Sequence, residues 1–204
     1  MRLRAALYPA GIAALVAAFV LPADSIEDHI VSHALVAVVA APLLVLAAPP
    51  GALLAVVPRS RRPAALALAQ RRPLSWLLGP VVAWSAFVAA HWVALLVAGD
   101  GHVHGLAHLG LHALLLVTGL LFWAQVLGAG PVPRPLGGGA AGLYLFLAMP
   151  AADLTAVWLM ARGDTGAVGL MLAAMLPLGI AAVAVSWSWI VREERLARAG
   201  EAAR

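Results

Sequence analysis

"GLAHLGLHALLLVTGLLFWAQVLG", residues 105–128, decides the fold of this chain. The stretch contains no charged residue. At a rise of about 1.5 Å per residue, a helix of this length crosses the hydrocarbon core of a bilayer. It also carries two histidines four positions apart, His108 and His112, near one end. The stretch therefore predicts a membrane-spanning helix that presents imidazoles at a defined depth.

The rest of the chain has the same apolar character. Hydrophobic residues make up 64% of its 204 residues, charged residues make up 11%, and the mean hydropathy is +0.98. In soluble domains about a quarter of the residues are charged. The composition therefore predicts an all-α fold, a polytopic membrane helix bundle that forms a single transmembrane domain over residues 1–204.

Six stretches of the chain are apolar over the roughly 20 residues that a membrane-spanning helix needs. The first of them follows Arg2 and Arg4 and has the general form of a signal peptide, but no clean cleavage site follows it in "FVLPADS". We therefore expect it to be retained as a helix. The predicted spans lie at about residues 5–21, 29–48, 74–98, 105–128, 138–161 and 166–191.

Arginines give the orientation of the bundle. All 13 basic residues are arginine, and if the N-terminus is inside, only Arg162 falls in an outer loop. Because cytoplasmic loops carry the excess of basic residues, this bias predicts that both termini are cytoplasmic. The net charge is only +4 and the arginines lie in loops and tails, so their partner is the lipid bilayer and not a nucleic acid.

With this topology, every histidine falls in the outer half of the protein. His29 and His33 begin the second span, and His104, His108 and His112 lead into the fourth at the same spacing of four. Residues four apart share one stripe of a helix, so each set can offer two nitrogens to one metal ion. His91 lies about two turns below the outer end of the third span. Polar side chains at such depths face the bundle interior and a partner.

Other ligands are limited by composition. The chain has no cysteine, which excludes thiolate metal sites and disulfides. Asp153, about two turns from the outer end of the fifth span, is expected to ligate a metal or to orient a ligating imidazole. Met149, one turn deeper, would offer a thioether, which favours Cu(I) over zinc. The predicted metal site comprises His29, His33, His91, His104, His108, His112, Met149 and Asp153.

Plainer interpretations exist for several of these residues. His104 and its neighbour His102 would be solvated in an exposed loop, and His112 would be a core histidine bonded to a carbonyl. Met149 would serve core packing. Imidazole sites also suit zinc, so the residues alone leave the metal open.

Three stretches resemble a known family: "DHIVSHALVAVVAAPLLVLAAP" (28–49), "HWVALLVAGDGHVHGLAHLGLHALLLVTGLLFW" (91–123) and "GGGAAGLYLFLAMPAADL" (137–154). Together they are similar to the multi-pass CtaG family of bacterial cytochrome c oxidase assembly factors. Its two histidine pairs match His29 and His33, and His104 and His108. The resemblance implies a non-enzymatic protein of the bacterial inner membrane, with no catalytic residues, that helps to mature a haem-copper oxidase. It also implies copper, as Cu(I), as the bound metal, and an oxidase subunit and a copper donor on the outer side as partners.

Two other functions compete with this hypothesis. Facing helix histidines also hold haem b in redox membrane proteins, and the outer histidines would accommodate one such haem. A copper importer would use the same cluster as an entry site, although the inner half has no comparable ligands. Small residues in the last two spans would allow a homo-oligomer, namely Gly138, Gly142, Gly166 and Gly169.

Overall fold

Long apolar helices make up almost all of the described chain. The computed structural model describes residues 2–21, 24–48, 58–69, 71–98, 105–128 and 135–202. No strand occurs in these ranges, which confirms the all-α prediction. The helices are α1 (Arg2–Val20), α2 (Ile26–Ala47), α3 (Arg62–Ala69), α4 (Arg72–Leu77), α5 (Pro80–Ala98), α6 (Leu106–Leu127), α7 (Gly138–Ala161), α8 (Thr165–Ala174) and α9 (Leu176–Ala202).

Five helical stretches of the described chain are long and apolar enough to cross a membrane. They correspond to the second to sixth predicted spans, so the polytopic membrane fold is confirmed. The first predicted span forms α1, but its apolar part, Ala6–Val20, is shorter than the other five. The total of six spans and the cytoplasmic termini remain predictions. The five stretches are Ile26–Ala47, Pro80–Val97, Leu106–Leu127, Gly138–Ala161 and Gly166–Glu201.

A capping box fixes the start of α2. The Ser25 hydroxyl accepts a hydrogen bond from the backbone N–H of Asp28 (3.1 Å), and the Asp28 carboxylate accepts one from the backbone N–H of Ser25 (3.2 Å). These reciprocal bonds satisfy N–H groups that the first turn of a helix leaves open. The helix therefore begins at Ile26, three residues before the predicted boundary at residue 29.

The middle of α2 is a π-helical segment, Leu35–Ala40. At its end the backbone N–H of Ala41 bonds to the carbonyl of Val36, five residues back. The next residue, Pro42, has no N–H to donate, so the Ala37 carbonyl receives no bond from it. The indole N–H of Trp123 on α6 donates to the Ala37 oxygen instead, at 3.0 Å. A side chain of α6 thus completes the backbone of α2.

Close packing joins α2 and α6 at the level of this bond. A Cβ atom on Gly119 would lie 3.1 Å from the Ala41 Cβ and 3.3 Å from the Ala37 oxygen. The absence of a side chain at Gly119 therefore sets how closely the two helices approach. Both helices run in the same direction from the end of the bundle that carries the described histidines, which we call the histidine end.

A break near Pro177 divides the last span into α8 and α9. Pro177 is the second residue of α9, a position where a helix does not need a backbone N–H donor. The short helix α8 packs against α2 and α7 at the histidine end, whereas α9 packs along α7. The break therefore lets α8 pack at the histidine end independently of α9.

Candidate metal centre

Four histidines form a ladder between α2 and α6 at the histidine end. Across the two helices, the ring centres of His29 and His108 are 5.4 Å apart and those of His33 and His112 are 5.3 Å apart. Along the helices, the His29–His33 centres are separated by 5.6 Å and the His108–His112 centres by 4.2 Å. The two predicted histidine stripes therefore face each other.

The pairing within this ladder differs from the depths estimated from the sequence. With the predicted spans starting at residues 29 and 105, His33 and His108 should both lie about one turn from the outer end, whereas in the structure His33 lies opposite His112 and His29 lies opposite His108. The capping box explains the difference, because it starts α2 almost one turn early and so places His33 deeper. His29, His33 and His112 are buried, with exposed fractions of 1%, 8% and 0%, and His108 is half-buried.

A hydroxyl group orients His112. The Ser32 hydroxyl donates to the His29 carbonyl at 3.0 Å, so its oxygen can only accept from His112 Nε2, which lies 3.4 Å away. This arrangement assigns the ring proton to Nε2 and leaves the lone pair on Nδ1. His112 Nδ1 is buried and has no hydrogen-bond partner among the described residues. Its free nitrogen is therefore suited to bind a metal ion.

A backbone carbonyl orients His91 in the same way. Its Nδ1 lies 2.8 Å from the carbonyl oxygen of Phe87, one turn back on α5. A carbonyl accepts only, so Nδ1 carries the proton and Nε2 keeps its lone pair. Within the described chain His91 Nε2 is buried without a hydrogen-bond partner, as is Nε2 of His33. Metal-binding histidines are usually fixed by a bond of this kind from the other ring nitrogen.

A small cavity of about 30 Å³ lies next to the ladder, lined by residues of α2, α5, α6 and α8. Three of its lining side chains are His29, His33 and His91, so α2 histidines take part in both the ladder and the cavity. Met171 of α8 and Met175, which directly follows α8, also line it and are buried, with exposed fractions of 6% and 3%. A volume of this size accommodates a water molecule or a single ion.

These two methionines are not among the predicted ligands. Their spacing of four places Met175, the residue that caps α8, one turn beyond Met171 on the same side, which is the signal that identified the histidine pairs. The sequence alone does not give the direction in which this side of the helix faces. The packing of α8 against α2 turns it towards the imidazoles.

Two predicted residues lie outside the cavity. Met149 lines an apolar groove between α7 and α9, where its terminal methyl carbon packs near Gly179. Asp153 is half-buried in the adjoining part of that groove, together with Met149 and Met175. One of its oxygens, Oδ1, has no hydrogen-bond partner in the described chain. The structure therefore brings His29, His33, His91, His108 and His112 together and separates Met149 and Asp153 from them.

His104 lies outside the described residues, as does His102. The ligand predicted at His104 is therefore not placed by the structure. The described part of the site consists of side chains from α2, α5, α6 and α8.

The imidazoles are spaced in pairs and not as a closed cage. Two imidazoles that share one metal ion, with metal–nitrogen bonds of about 2.0 Å, have ring centres about 5 Å apart. The spacings across the ladder agree with that value. Within the described ranges, however, no group of three or more histidine, aspartate or glutamate side chains is arranged so that it could hold a metal ion. The arrangement therefore offers two imidazoles to one metal ion, and the remaining coordination positions of that ion would be filled by other ligands.

Comparison with known proteins gives a match at the family level. The model of the family described as "Cytochrome c oxidase caa3 assembly factor" matches residues 1–192 of the chain. The matched region extends from α1 into α9 and includes all seven histidines. No curated protein and no solved structure matches the chain.

Proposed function

The chain belongs to the cytochrome c oxidase caa3 assembly factor family, and from this premise we propose that it holds copper at the histidine end for delivery to the oxidase that it helps to assemble. Membership of the family confirms the resemblance seen in the sequence and supports a role in oxidase assembly. An assembly role also favours a protein that is not an enzyme. Copper binding is the further step in the proposal.

The proposal rests mainly on buried imidazole nitrogens that have no hydrogen-bond partner in the described chain. In the described chain, His33 Nε2, His91 Nε2 and His112 Nδ1 are buried nitrogens without a hydrogen-bond partner, and two of these rings are fixed through their other nitrogen. A buried polar atom left unsatisfied costs roughly 1–3 kcal/mol. A bound metal ion would offset that free-energy cost, because it would give each buried nitrogen a partner.

The position of the cluster suits transfer of a metal. The arginine distribution predicts that the histidine end faces the outer side of the membrane, where a copper donor and the client oxidase subunit would meet it. On α6, His108 is half-buried and His112 is fully buried, so this side of the ladder leads from the surface inwards. We infer a bacterial inner membrane location from the oxidase-assembly role.

The size of the cavity separates this proposal from haem binding. A haem group needs a pocket of several hundred Å³, as small organic ligands generally do. The cavity beside His33 and His91 has about 30 Å³, which favours a single ion. A visible Soret band in the purified protein would favour haem instead.

Metal content of the purified protein tests the proposal. The full chain in detergent is loaded with Cu(I) under reducing, anaerobic conditions, washed, and analysed by mass spectrometry. We expect retained copper in the wild type and loss of most of it in the double variant His33→Ala plus His108→Ala. Met149→Leu is the control, because Met149 lies in the groove and not in the cavity.

Oxidase maturation in cells gives the second readout. Cells that lack this protein are complemented with the wild type, the double histidine variant or the control, and the copper content of the purified oxidase is measured. We expect the histidine variant to yield a copper-deficient oxidase at a normal level of the assembly factor. If the wild-type chain retains no copper, or the variant yields a fully copper-loaded oxidase, the copper proposal is wrong.

A further inference from the structure

Two buried thioether side chains face the imidazoles across the small cavity. Met171 lies on α8 and Met175 directly follows that helix, and the cavity that they line is also lined by His29, His33 and His91. In the sequence the two methionines lie at least 80 positions from these histidines. Their proximity therefore depends on how α8 packs in the bundle.

We propose that Met171 and Met175 supply thioether sulfur to the metal held by His33 and His91, and that these ligands make the cavity selective for Cu(I). The inference rests on the copper-holding function proposed above and adds two ligands and a basis for metal choice. Thioether sulfur is a soft ligand that prefers Cu(I) to zinc.

The distribution of methionines supports this assignment. Of the four methionines in the described chain, Met160 is 59% exposed and Met149 lies in the groove between α7 and α9. Only Met171 and Met175 are buried beside imidazoles. Methionine also fills core space elsewhere in proteins, but here the pair borders unfilled volume next to unpartnered nitrogens.

The small number of nitrogen, oxygen and thiolate ligands supports the choice of Cu(I) over zinc. Structural zinc sites almost always have four nitrogen, oxygen or thiolate ligands in a tetrahedron. In the described chain no three histidine, aspartate or glutamate side chains are arranged to hold a metal, and the chain has no cysteine. Cu(I) accepts fewer ligands, and two imidazoles with one or two thioethers satisfy it.

A double substitution with a matched control tests the inference. Met171→Leu plus Met175→Leu keeps the volume and apolar character of both side chains, so the variant should fold. We expect it to weaken Cu(I) binding by about tenfold or more, measured by competition with a Cu(I) chelator, and to leave zinc binding almost unchanged. The control is Met149→Leu plus Met160→Leu, which removes the same number of thioethers outside the cavity.

X-ray absorption of the Cu(I)-loaded, selenomethionine-labelled wild type gives a direct readout that needs no substitution. Selenium scattering at the copper edge would support the inference. Absence of that scattering from copper bound in a histidine-dependent manner, or unchanged Cu(I) affinity in the folded double variant, would overturn the thioether ligands while leaving the histidine site in place. If the wild type binds no copper at all, both the copper-holding function and the methionine ligands are wrong.

Discussion

The two halves of the bundle differ in how their buried polar side chains are grouped. Towards the end away from the histidines, Trp123 donates to the Ala37 carbonyl at 3.0 Å and the Gln125 amide nitrogen donates to the Leu78 carbonyl at 2.9 Å. Three other groups in that half, Trp84 Nε1, Gln125 Oε1 and Tyr144 OH, are buried without a described partner. At the histidine end, the rings of His33 and His91 each keep one such nitrogen and line the same cavity. The bonds of Trp123 and Gln125 therefore stabilise helix packing, whereas the two imidazoles share a space that a ligand can enter.

If this division holds, substitutions in the two halves should affect different properties. Changes near Trp123 should lower the free energy of unfolding with or without metal. Changes near the histidines should alter metal binding at nearly constant stability. The three predictions that follow test this difference, starting with the largest effect.

Gly119→Leu should have the largest effect on stability. Its side chain would meet Ala41 and the Ala37 carbonyl and force α2 away from α6. Overpacking of this kind costs about 3 kcal/mol. The matched control is Gly110→Leu on the same helix, where a Cβ atom meets nothing within 4 Å. Thermal unfolding in detergent, followed by size-exclusion chromatography, should show a lower midpoint for Gly119→Leu alone, and equal midpoints would contradict the close packing.

Trp123→Phe should have a smaller effect in the same direction. Phenylalanine keeps the aromatic packing but leaves the Ala37 carbonyl without its donor, which costs about 2 kcal/mol in a buried position. Trp187→Phe serves as the control because Trp187 is 68% exposed. Chemical denaturation of the purified protein measures both variants. Copper retention at low temperature should stay normal in Trp123→Phe, and its loss would break the proposed division between the two halves.

Ser32→Ala should have the smallest effect on stability and a measurable one on metal binding. The Ser32 hydroxyl accepts from His112 Nε2 and thereby keeps the lone pair on Nδ1. Loss of such an orienting bond lowers metal affinity by about tenfold. Ser188→Ala is the matched control, because the Ser188 hydroxyl also bonds to a carbonyl three residues back but is exposed. A lower Cu(I) affinity in Ser32→Ala alone would add His112, which faces His33 across the ladder, to the ligands proposed in the cavity. Equal affinities in the two variants would restrict the ligands to the side chains that line the cavity.

Most of the fold follows from the sequence because a membrane imposes simple rules. A bilayer requires long apolar helices, so hydropathy alone locates five of the described spans closely. Spacing of four residues likewise predicts the histidine stripes of α2 and α6, since it depends only on the geometry of one helix.

The composition of the site was harder to predict, because it depends on how helices rotate against each other. Met149 and Met171 have similar apolar surroundings in the sequence, yet the first lies in the groove beside α9 and the second in the cavity. The break before Pro177, which frees α8 to turn towards α2, sets this difference. The early start of α2 at its capping box similarly moved His33 to the level of His112.

The π-helical segment of α2 also controls the helical phase of the site. Each added residue turns an α-helix by about 100°, so the extra residue accommodated in Leu35–Ala40 rotates the histidine-bearing turns relative to the part of α2 anchored by Trp123. A regular α-helix through the same residues would turn His29 and His33 away from α6 by roughly that angle, whereas deletion of one residue there would restore a regular helix and keep both histidines in phase. The alignment of the histidine ladder thus depends on the wide turn that follows His33 in α2.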